Sequence, residues 1–174
     1  RRKAGYALLG WRESKKLMPV GMLRGRLVHV ALKAHFTGTN YEEGLKQEYL
    51  KVINELPEAT TPEDKRTIEE NLAKALKEAK ELTDRYVEVY AKDIKAITVE
   101  EEIVVEYSKD VELVGTPDIV GALGGRLTII DFKTSVSPDL RALDMSGQID
   151  YYAHLYKLVK GIAVQSICYE VITP

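Results

Sequence analysis

The chain has 174 residues, 45% of them apolar and 30% charged, a composition that suits one folded domain and excludes wholesale disorder. A single cysteine, Cys168, excludes an internal disulfide framework and any zinc or iron–sulfur site that needs four cysteines from this chain. No stretch approaches the roughly 18 apolar residues of a membrane span, and Arg1-Arg2-Lys3 has no apolar signal core behind it. The expectation is a soluble, cytoplasmic protein with no membrane contact. A start at Arg1 rather than Met, and Pro174 directly behind an apolar run, are what a piece of a longer polypeptide would show. The formal charge of −2 conceals an asymmetry: residues 1–41 carry nine Lys and Arg against Glu13 alone, a net +8, and the remainder carries −10. Such a basic arm offers a polyanion favourable counterion release, and it is also what a solubilising tail looks like.

Leu23 to Phe36 reads as a helix, with Leu27, Val30, Ala31, Ala34 and Phe36 recurring near the helical period and Gly38 closing it. A second helical stretch runs from about Tyr41 to Leu56 and stops at Pro57. Thr60-Thr61-Pro62-Glu63 then supplies a cap, a first-turn proline and an acid for a long helix reaching about Ile94. Its apolar residues Ile68, Leu72, Ala75, Ala79, Leu82, Tyr86 and Val89 alternate spacings of four and three. That stripe fits an amphipathic helix lying on its own domain, or a lid or seam over 62–94 for a protein partner or a second copy. From Thr98 the pattern turns to strands: Ile103-Val104-Val105, Val111 to Val120 and Leu127 to Phe132, with Lys109-Asp110 and Gly124-Gly125 as turns. Pro138 to Lys160 reads as a helix capped by Gly161, and Val164 to Ile172 as a last strand. The order predicts a mixed α/β (α+β) fold: a central mixed β-sheet with an antiparallel meander, flanked by helices. We read 1–174 as one domain with 41–96 as a helical insertion.

Chemistry concentrates in Gly115-Thr116-Pro117-Asp118 and Asp131-Phe132-Lys133-Thr134. With Gly124-Gly125 as a two-residue hairpin turn, opposed residues have numbers summing to 249, as Asp118 and Asp131 do. Opposed Cβ atoms lie roughly 5 Å apart, close enough for the two carboxylates to share a divalent cation. Lys133 falls on the same strand face, while Ile130 and Phe132 point the other way. Two such carboxylates repel unless an ion such as Mg²⁺ or Mn²⁺ joins them, and that ion can polarise a phosphoryl oxygen and acidify water. The same residues also fit ordinary turn and strand-end acids with Lys133 as their salt-bridge partner. His29 fits a core or surface histidine as well as a ligand, and Gln148 and Tyr152, four apart, share one helix face. Glu100, Glu101 and Glu102 begin the strand before the first acid and fit a solvated strand end, or one of them an approach to the metal, while His35 and His154 read as surface residues.

Four separated pieces in this order resemble the PD-(D/E)XK nucleases, in particular their RecB-like and Cas4-like exonuclease branch. His29 in Gly25-Arg26-Leu27-Val28-His29 is similar to the branch's Gly-x-x-x-His motif. Asp118 is similar to its first acid, Asp131-Phe132-Lys133 to its D-x-K strand, and Gln148 with Tyr152 to its Q-x-x-x-Y helix. The resemblance implies a restriction-endonuclease-like core with His29, Asp118, Asp131 and the main-chain carbonyl of Phe132 holding Mg²⁺ or Mn²⁺. It also implies that Lys133 serves the attacking water, and that Gln148 and Tyr152 belong to the catalytic group. Members with an iron–sulfur cluster carry four cysteines, so none is expected here. The function implied is a metal-dependent deoxyribonuclease, an exonuclease at single- or double-stranded DNA ends in repair, recombination or phage DNA metabolism. Arg24 and Arg26, beside the His motif, are candidates for backbone phosphates. Two rivals are a non-catalytic DNA-binding or scaffolding module of the same fold, and a metal phosphohydrolase acting on nucleotides.

Overall fold

In a computed structural model, residues 19–54, 61–139, 141, 143 and 147–174 are described. Helix α1 spans Val20–Phe36, α2 Tyr41–Asn54, α3 Pro62–Val89 and α4 Gln148–Lys160. The strands are β1 Ile94–Val99, β2 Ile103–Ser108, β3 Val111–Gly115, β4 Ile119–Leu123, β5 Arg126–Thr134 and β6 Ser166–Ile172. β1, β4, β5 and β6 lie side by side in that order, antiparallel except for the parallel pair β5–β6, and β2 and β3 form a separate two-stranded sheet. The mixed central sheet flanked by helices is the class expected from the sequence. The consecutive antiparallel strands, however, are divided between two sheets.

Each face of the central sheet has its own core. Ile119, Ile130 and Phe132 join Leu27, Val28, Ala31 and Leu32 of α1 and Leu72, Ala75, Ala79 and Leu82 of α3. On the other face Val120 and Ile129 meet Ile149 and Leu155 of α4 and Ile103 of the β2–β3 hairpin. The stripe of α3 from Ile68 to Tyr86 is therefore buried against its own domain rather than left for a partner, and only Val89 at its end is 44% exposed. Burying each Leu of this kind contributes roughly 1.5–3 kcal/mol, which outweighs any propensity term along α3. No helix among the described residues is long and apolar enough to cross a membrane.

Several boundaries differ from the sequence reading, each for a physical reason. α3 stops at Val89 and gives way to a 3₁₀ turn at Ala91–Asp93, so Ile94 opens a strand instead of ending a helix. Long-range pairing with β4 overrides the local helical spacing there. The stretch Val111–Val120 is two strands, because Pro117 has no N–H for a ladder and breaks the run at Thr116-Pro117-Asp118. Regular helix α4 begins at Gln148, behind Gly147 with φ of +64°, and not at Pro138; five of the residues between 139 and 147 lie outside the described set. The final strand starts at Ser166 rather than Val164, and the expected stop at Pro57 falls outside the described residues.

Gly124 and Gly125 adopt φ of +58° and +78°, the left-handed pair a two-residue hairpin needs. The resulting ladder pairs Ile119 with Ile130 and Leu123 with Arg126, the register summing to 249. β1 carries an irregularity: Ile94 to Ala96 pair with Leu123 to Gly121, then Thr98 and Val99 pair with Val120 and Ile119. The extra residue, Ile97, is 62% exposed, and its bulge moves the register on by one.

Candidate active site and metal centre

The hairpin register carries Asp118, one residue before β4, to the level of Asp131 in β5. The bulge does the same on the other side: Val99 pairs with Ile119, so the next step along β1 brings Glu100 to Asp118, and the Glu100 N–H donates to the Asp118 carbonyl at 2.9 Å. Glu100 holds φ at +47°, in the left-handed region that non-glycine residues uncommonly occupy. Above these strands α1 supplies His29, whose Nδ1 lies 3.2 Å from Asp118 Oδ1. The other Asp118 oxygen accepts the Phe132 N–H at 2.6 Å, while the Phe132 ring sits edge-on to His29 and joins the core.

His29, Glu100 and Asp118 each offer one ligand atom within 4.8 Å of the others. One imidazole nitrogen and two carboxylates form a donor set that suits a divalent cation. Of the two sequence readings of Glu100, a solvated strand end and an approach to the metal, the structure favours the second. Its arrival depends on the Ile97 bulge, which has no local signature.

The second half of the site lies on the face of β5 that looks toward α4. Asp131 is 3% exposed and has the Lys133 ammonium 2.5 Å from its Oδ2. Lys133 Nζ donates to Gln148 Oε1 at 3.0 Å, and Gln148 Nε2 donates to the Tyr152 hydroxyl at 2.9 Å. The Tyr169 ring of β6 lies 5.9 Å from the same ammonium. α4 comes this close because residue 115 is glycine: a Cβ there would stand 2.7 Å from Leu155 Cδ1 and 2.9 Å from the Tyr152 ring. The structure thus gathers His29, Asp118, Asp131, Phe132, Lys133, Gln148 and Tyr152 at one place, although Asp131 faces Lys133 and is not in the three-residue ligand set.

Electrostatics at the two halves agree. Burial, reinforced by the Asp118 charge and opposed by Lys133, holds the Asp131 carboxyl above its ordinary value. The hydrogen bond that His29 donates to Asp118 raises His29 as well, against the effect of its burial. Both groups favour an added proton, Asp131 chiefly because it is buried and His29 because Asp118 accepts from it. The donor set of His29, Glu100 and Asp118 fits a divalent metal.

Arg24 and Arg26 do not present free cations. Arg24 is 8% exposed and bonds Glu78 of α3 at 2.8 Å, and Arg26 pairs with Glu48 of α2. They cross-brace the helices, a role consistent with the desolvation cost of burying a charge unpaired.

A family model described as the PD-(D/E)XK nuclease superfamily matches residues 3–170. Comparison with curated proteins and with solved structures gives no match. With nearly the whole sequence matched and the acid, acid and lysine converging in space, the chain belongs to the PD-(D/E)XK nuclease superfamily, whose members are metal-dependent nucleases.

Proposed function

We propose that the protein is a deoxyribonuclease of the RecB-like, Cas4-like kind, removing nucleotides from DNA ends with Mg²⁺ or Mn²⁺. A single observation carries the reading: the imidazole–carboxylate cluster of His29, Glu100 and Asp118 adjoins a lysine held by both Asp131 and Gln148. We assign the metal to those three side chains, with Asp131 and the Phe132 carbonyl as further ligands. When bound, a divalent ion supplies Lewis acidity toward a phosphoryl oxygen. Lys133 orients the attacking water and offsets charge that grows on the phosphate. Gln148 fixes the direction of the Lys133 ammonium, and Tyr152 fixes Gln148. Backbone contacts read no bases, so cleavage is expected to be independent of sequence.

Among the described residues, the recess lined by His29, Lys33, Phe36, Val99, Glu100, Asp118, Ile119 and Phe132 has no room to enclose a small molecule. That favours a polymer over a free nucleotide. We further infer one cytoplasmic nuclease domain over 1–174 with 41–96 as its helical insertion, acting in DNA repair, recombination or phage DNA metabolism. The test is degradation of end-labelled linear DNA beside a closed circle, in Mg²⁺, Mn²⁺ or EDTA, with Asp131→Ala as control. Metal-dependent shortening of the linear DNA alone supports an exonuclease, and cutting of the circle makes the enzyme an endonuclease. DNA binding without cleavage under any metal brings forward the scaffolding module, and hydrolysis of free nucleotides alone brings forward the small-molecule phosphohydrolase.

A further inference from the structure

Lys33 stands one helical turn beyond His29 on α1, on the same helix face. Its ammonium reaches across to the strand layer and donates to Glu100 Oε2 at 2.6 Å. Both side chains border the recess that contains His29 and Asp118. Two independent restraints therefore meet at Glu100: its backbone N–H is tied to the Asp118 carbonyl, and its carboxylate is tied to Lys33.

From this geometry we propose that Lys33 is a positioning residue for the metal centre, holding one oxygen of Glu100 so that the other is presented beside His29 and Asp118. The inference rests on the reading of the site as a metal-dependent nuclease centre. A ligating carboxylate needs its second oxygen hydrogen-bonded, because a free carboxylate rotates and must be ordered when the ion arrives. Glu100 is in special need of such a partner, since it sits on a bend between β1 and β2 rather than inside a strand. Lys33 is also a cation close to a cation site, and the opposite effect, competition with the metal, follows from simple charge counting. Solvent decides between them: the Lys33 side chain is 50% exposed, so water screens its repulsion with the ion while its hydrogen bond to Glu100 is direct.

The experiment is Mn²⁺ binding to the full chain, read by isothermal titration and by the free-ion resonance signal, without DNA. Lys33→Ala should weaken Mn²⁺ binding by about tenfold or more, and Lys33→Arg, which keeps a donor, should restore most of it. Glu100→Gln should weaken binding similarly, and adding Lys33→Ala to Glu100→Gln should change nothing further. Lys33 is on the helix surface and alanine favours helix, so a loss of fold does not obscure the result; circular dichroism checks this. Unchanged binding in Lys33→Ala while Asp118→Ala abolishes it would leave the nuclease reading standing and overturn this proposal. Tighter binding in Lys33→Ala would overturn it too, making Lys33 a competitor. Absence of Mn²⁺ binding by the unsubstituted chain would overturn both the proposal and the reading beneath it.

Discussion

The two faces of the central sheet are built to different standards. Among the described residues, the face under α1 and α3 buries 18 residues in one cluster, and the face under α4 and the β2–β3 hairpin buries six. The first is braced by Arg24–Glu78 and Arg26–Glu48, and it carries His29 on a helix packed from both sides. The second carries Gln148 and Tyr152 on α4, which starts and stops at the left-handed glycines Gly147 and Gly161. The ligand half of the site thus stands on the larger core and the lysine half on the smaller one. A metal centre gains from rigidity because its ligands must wait in place, while a lysine that meets both substrate and solvent tolerates a looser support.

The strongest way to break this division is to remove its chemical poles. Asp118→Ala and Lys133→Ala should each lower DNA cleavage on the order of 10³-fold or more, yet only Asp118→Ala should lose Mn²⁺ binding. Equal metal loss in both would show that the halves are one unit. The cores come next. Leu72→Ala and Leu155→Ala, both fully buried, should each cost about 2–5 kcal/mol of unfolding free energy. Turnover per folded molecule should survive Leu72→Ala and fall in Leu155→Ala, because Leu155 holds the helix that carries Gln148; equal turnover in the two would dissolve the contrast. Gln148→Ala itself should reduce kcat by roughly tenfold to a hundredfold with Mn²⁺ affinity unchanged.

The smallest effect is on pH. Asp118 raises His29 above the ordinary imidazole value of 6.5. The stability from this pair is complete below pH 6.5 and is lost as pH rises through the raised value. In EDTA the native protein should therefore lose stability over that window while His29→Gln stays flat there. Mn²⁺ affinity should rise with pH across the same window, as the metal displaces the proton. A native melting profile parallel to that of His29→Gln would remove His29 from the ionised pair.

What the sequence makes legible follows how far each feature reaches along the chain. Asp118 and Asp131 are joined by a glycine turn between them, so counting residues suffices to bring them level. Gln148 and Tyr152 lie on one helix face by spacing alone. Glu100 is different: β1 pairs with β4 at sequence separations of twenty or more, two strands of another sheet intervene, and the strand's own start at Ile94 is hidden behind helix-like spacing. For the basic arm, six of its nine cations lie outside the described residues, and the other three show what a charge count leaves out. Charge counts show cations but not their partners, and Arg24, Arg26 and Lys33 each meet a carboxylate delivered by a distant element.

The bulge at Ile97 has a consequence for register. Pairing from Thr98 onward is offset by that one residue, so a variant that draws Ile97 into the ladder in place of the bulge, with no residue lost, would carry Val99 to the level of Asp118 and turn Glu100 to the other side of the strand. Every residue of the recognisable motifs would remain in such a variant, and the third ligand would still be gone. The bulged pairing thus sets which side chains meet at the proposed metal centre, and sequences compared by motif alone would hide whether the bulge forms.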